Sequence, residues 1–151
     1  MRYKDFFSSF VPPLAETDEW RYRQQRIFVG VCFVSALYAL LYIPLVILEE
    51  YYGALIVIIA FAVVNIVLPF VLRRGIPLPL LVNVYLITMA ISETRIMSIS
   101  GGVYHTATDP QILAVLPMMA LLFLGLRSAI IWFVVGVAII VTFGVLQAKG
   151  I

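Results

Sequence analysis

The stretch IFVGVCFVSALYALLYIPLVIL, residues 27–48, contains no charged side chain. As a helix rising about 1.5 Å per residue it reaches about 33 Å, enough to cross a hydrocarbon core of about 30 Å. Working outward, comparable apolar runs follow at residues 52–72, 78 to about 97, about 110 to 126, and 128 to about 147. The fourth is the shortest and contains Pro117, although Thr106 to Asp109 before it can lengthen it into the headgroup zone. None of the runs alternates apolar with polar residues, and each is about twice the length of a membrane-barrel strand. The expected fold is therefore all-α: a polytopic transmembrane helix bundle of about five spans.

Composition points the same way. Hydrophobic residues make up 64% of the chain and charged residues only 12%, with a mean hydropathy of +1.10; a soluble domain carries about 25% charged residues to solvate its surface. Nine of the eighteen charges precede residue 27, so residues 1–26 form a polar juxtamembrane segment ahead of a transmembrane domain at 27–151. That segment has no apolar core of its own and is not a cleavable signal. In it, Thr17 can cap a helix with Asp18 and Glu19 in its first turn and Arg21, Arg23 and Arg26 later, an order that suits the helix dipole. Val11, Pro12 and Pro13 read as an extended linker, and Trp20 and Tyr22 as interfacial aromatics. The single Cys32 lies within an apolar run and implies neither a disulfide framework nor a metal set. The basic residues flank hydrophobic spans rather than forming a polar face, which removes nucleic acid as a partner.

Lysine and arginine collect beside the cytoplasmic ends of spans. With the N-terminus inside, eight (Arg2, Lys4, Arg21, Arg23, Arg26, Arg73, Arg74, Arg127) fall on the inner side and two (Arg95, Lys149) on the outer. The expected N-terminus is cytoplasmic. Ala148-Lys149-Gly150-Ile151 reads as the start of a loop toward a sixth helix.

This layout resembles the six-span membrane modules at the N-terminus of bacterial sensor histidine kinases and of some class III adenylate cyclases. The likeness covers roughly residues 20–147. It is carried by Arg21-Tyr22-Arg23-Gln24-Gln25-Arg26 before the first span, Leu72-Arg73-Arg74-Gly75 after the second, and Ser100-Gly101-Gly102-Val103-Tyr104-His105 after the third. Pro117, Leu124-Gly125-Leu126-Arg127 and Trp132 match the turn between the fourth and fifth. The resemblance implies a sensing or anchoring module, working as a homodimer in the bacterial inner membrane and responding to an external or membrane-borne stimulus. Its output would be a cytoplasmic histidine kinase of a two-component phosphorelay or, alternatively, a nucleotide cyclase. No catalytic residue of either enzyme and no cofactor signature is present in these 151 residues. A third reading is a standalone transporter or complex subunit; an in-membrane polar cavity would favour it, whereas only Ser35, Asn65, Asn83, Thr88 and Thr142 offer polarity between the span ends.

Four residues are candidates for sensing. Glu93 and Arg95 stand near the outer end of the third span, where ionisable groups are either headgroup anchors or functional; two apart, they lie on different faces. His105 and Asp109 are four apart and share a face if that segment is helical. A nearby carboxylate raises a histidine's pKa, so they read either as a pH-responsive pair or as a solvated loop. One histidine with one carboxylate makes no metal site unless Glu93 completes it. Asn65 and Asn83 are expected to bond between helices, and Gly136 and Gly144, eight apart on roughly one face, to pack the fifth span against a neighbour or a second copy.

Overall fold

The computed structural model describes residues 6–12, 19–48, 50, 52–99 and 113–149. Every regular element among them is helical. A short 3-10 turn, Phe6–Phe10, is followed by α1 (Glu19–Leu48), α2 (Tyr52–Arg73), α3 (Leu78–Ile99), α4 (Val115–Leu124) and α5 (Leu126–Ala148). Helices α1, α2, α3 and α5 are each long and apolar enough to cross a membrane. The fourth expected span is described only at its C-terminal part, the ten residues of α4. Thr17, His105, Asp109 and the Gly101-Gly102 turn lie outside the described residues.

The juxtamembrane helix and the first span are one continuous 30-residue rod. The exposed Arg23 guanidinium bonds Glu19 at 2.6 Å near its start, an i,i+4 pair contributing a few tenths of a kcal/mol at most. Of the expected linker, Val11 and Pro12 lie outside any helix, and Pro13 is outside the described residues. Phe10 and Val11 are buried, and Phe10 packs edge-on against Phe33 of α1 and Phe70 of α2. Phe10 thereby ties a short segment of polar average composition to the bundle, because an aromatic ring brings a large contact area.

The helices run antiparallel in sequence. A β-carbon at Gly53, the start of α2, would sit 3.3 Å from Ile99 Cδ1 at the end of α3. The side chain of Gln24, early in α1, donates to the Leu122 carbonyl near the end of α4. This alternation puts Arg21, Arg23, Arg26, Arg73, Arg74 and Arg127 at one end of the bundle. Helix α3 is its centre: half of its most apolar window is buried, against 17% for α5. It is also the least apolar span, with a window hydropathy of 1.3 against 2.5 or more for the others. The two facts share a cause, since a helix surrounded by protein can carry polar side chains that a lipid-facing one cannot.

Helices α4 and α5 form a hairpin joined by a single residue. Gly125 has φ of 90°, a conformation from which a β-carbon is sterically excluded. Its N–H caps α4 by bonding the Ala120 carbonyl, and its own carbonyl receives the Ala129 N–H as α5 begins. Pro117 falls in the first turn of α4, where a missing N–H interrupts no intrahelical bond. Eleven residues beyond the joint, Gly136 is buried, and a β-carbon there would lie 3.4 Å from the Leu113 carbonyl oxygen. At Gly144 such a carbon meets nothing within 4 Å, so of these two glycines only Gly136 is a close-approach position. Gly136→Leu is expected to lower the thermal midpoint of the detergent-solubilised protein by several degrees, with Gly144→Leu unchanged. Equal midpoints for the two variants would show that the hairpin does not rely on close approach at Gly136.

Candidate functional site

A cavity of about 280 Å³ lies among α1, α2 and α3, near the lower bound for small-molecule pockets. It occupies the half of the bundle away from the arginine-rich end, since its walls come from the later part of α1, the early part of α2 and the later part of α3. Both α1 and α3 pack extensively on α2 but hardly on each other. Across the space between them the Ser35 hydroxyl of α1 and the Tyr85 hydroxyl of α3 bond at 3.0 Å.

Aromatic rings set the cavity's shape. Tyr38 and Tyr42, one turn apart on α1, stack with centroids 6.1 Å apart, and both line the space together with Phe61 of α2 and Tyr85 of α3. Below Tyr85 the core closes: Phe28 packs edge-on against Tyr85 and Phe123, and Leu72, Val82 and Leu86 are fully buried. The cavity is blind at that end.

Among the described residues of its wall, Glu93 is the one carboxylic acid. Only 9% exposed, it lies in the buried face of α3 with Ser92, six residues, about 9 Å, from the helix end at Ile99. Arg95 is exposed. The structure therefore separates the two residues: Glu93 faces the protein interior, and Arg95 faces outward. The reason is helical geometry, since residues two apart point about 200° from one another.

The remaining polar candidates are arranged differently from one another. Asn65 is fully buried, but its amide donates to the Phe61 carbonyl of its own helix, and its Oδ1 finds no partner among the described residues. Asn83 also donates within its helix, to Pro79, while its oxygen receives the Trp132 Nε1–H at 3.4 Å, a long bond linking α3 to α5. Trp132 enters the sequence reading only as part of a resemblance, because an indole's partner on another helix leaves no local signal. The same holds for Ser35 and Tyr85, 50 positions apart. Among the described residues no group of three or more histidine, cysteine, aspartate or glutamate side chains is placed to hold a metal ion.

Compared with known protein families, with curated proteins and with solved structures, the chain matches none.

The Ser35–Tyr85 link is tested by a double-mutant cycle. Ser35→Ala and Tyr85→Phe are expected to be non-additive in unfolding free energy by roughly 0.6 kcal/mol, the average for interhelical bonds in a membrane protein. Additive effects would mean that the two hydroxyls do not support each other.

Proposed function

We propose that the chain is the sensor module of a bacterial signal-transduction protein, in which a small molecule occupying the α1–α2–α3 cavity shifts the packing of the helices. The observation that supports this reading is the blind cavity with a buried carboxyl in its wall. An ionisable group inside a membrane span is costly and points to a site, and a pocket closed at one end suits binding rather than passage. Occupancy would bias the bundle between two packings, with the bilayer as its medium and a homodimer as its working form. The arginine-rich end would face the cytoplasm by the positive-inside rule, and the shift would be passed there to a histidine kinase output domain or, alternatively, to a class III cyclase. The membrane would be the bacterial inner membrane.

A second reading, a small transporter or complex subunit, draws on the same cavity. It requires a route onward from the cavity, and the described core below Tyr85 is aromatic and aliphatic.

The coupling is tested without knowing the ligand by filling the cavity. Ala39 is buried in its wall, and Ala39→Leu would occupy part of the space. Spin labels at Arg74→Cys and Arg127→Cys, with Cys32 replaced by alanine, report the distance between the ends of α2 and the α4–α5 hairpin. A shift of about 1–2 Å on filling is the expected outcome, matching helix movements in known switches. An unchanged distance distribution would sink the coupling. Reading the gene beyond the codon for Ile151 tests the output domain separately: a kinase or cyclase frame supports the signalling assignment, and a stop codon favours the standalone reading.

A further inference from the structure

We infer that the ligand of this cavity is a lipophilic ammonium ion, a protonated or quaternary amine carried on an apolar body, that arrives from the bilayer; the inference rests on the cavity being a ligand site.

Charge selects the class. Among the described residues that line the cavity, Glu93 is the only carboxyl group and there is no lysine or arginine. An anion would have to approach that carboxyl, with hydroxyl groups alone among the described lining to offset the repulsion. A cation finds that carboxyl in surroundings of low polarity, where opposite charges attract far more strongly than in water. The hydroxyls of Ser35 and Tyr85 already bond each other, which makes the carboxyl the strongest polar group of the described wall.

The walls select for the same ion. Tyr38, Tyr42, Phe61 and Tyr85 present four aromatic rings around one small space. Ring faces attract ammonium groups, and aromatic cages are a recurrent solution for quaternary ammonium recognition. A hydrated metal ion would be a poor fit to so apolar a lining, whereas an organic cation satisfies both the rings and the acid.

The route follows from the rim. Val34 and Tyr38 line the cavity yet are 67% and 57% exposed, and they lie within the apolar stretch of α1. The flank they belong to, continued by Leu37 and Leu41, is one that a span presents to lipid. The cavity thus borders the bilayer laterally, so a molecule partitioned into the membrane reaches it without crossing the protein's polar ends.

The test measures binding to the whole chain in lipid nanodiscs by equilibrium dialysis, with empty nanodiscs subtracted. Three probes of similar shape separate the possibilities: benzyltrimethylammonium, its neutral carbon isostere neopentylbenzene, and the anion phenylmethanesulfonate. The expected result is saturable retention of the cation at least tenfold tighter than either of the others. Glu93→Gln should abolish that preference while still retaining neopentylbenzene, which also shows that the variant is folded. Tyr38→Leu, at the exposed rim, should weaken cation binding severalfold. If the neutral probe or the anion binds as tightly as the cation, the ammonium assignment fails while the cavity remains a ligand site. If no probe binds, the ammonium assignment fails; if Ala39→Leu also leaves the helix-end distances unchanged, the sensor reading fails with it.

Discussion

Within a bilayer there is no water to receive a hydrogen bond, so each peptide group and each polar side chain must find its partner inside the protein. That requirement makes the spans helical, and it also governs their side chains. Thr88, Thr94 and Thr142 each bond the carbonyl four residues earlier, and the amides of Asn65 and Asn83 do the same. Most of the chain's mid-span polarity is therefore folded back onto its own helix. Between helices, the Ser35 and Tyr85 hydroxyls bond each other, the Trp132 indole bonds Asn83, and Gln24 bonds the Leu122 carbonyl near the span ends.

The same constraint explains why α3 is central. A span of lower hydropathy is the one best enclosed by others, and enclosure lets it hold Ser92 and Glu93 on a buried face. Helices α1 and α2 form one side of the bundle and the α4–α5 hairpin another, both meeting on α3. The hairpin depends on two glycines for unrelated reasons: backbone conformation at Gly125, and proximity of the Leu113 carbonyl at Gly136. On the other side, α1 and α3 remain separated enough to leave space, and the bulky rings around it hold the walls apart instead of filling it.

Long apolar runs, charge clustering and the positions of the helix joints were legible in residue order, because hydrophobic length and flanking charge are properties of a continuous stretch. The boundaries of α2 and α3 fall within two residues of those expected. The docked Phe6–Phe10 turn was not legible, since a five-residue segment has no periodicity and its burial depends on Phe33 and Phe70 far along the chain. Gly136 and Gly144 looked equivalent by spacing and differ in the fold, because the Leu113 carbonyl, two residues ahead of α4, lies close to only one of them.

By itself the sequence determined that this is a helical membrane protein, where its long spans lie, and which of its residues are costly enough at membrane depth to merit scrutiny, Glu93 foremost. These follow from transfer free energies that act locally along the chain. Only the tertiary structure decided that Glu93 turns inward while Arg95 turns out, and that its neighbours are rings from α1, α2 and α3 around a closed-ended space. Such a site belongs to the relative rotation of packed helices, which is set by side-chain fit between segments distant in sequence.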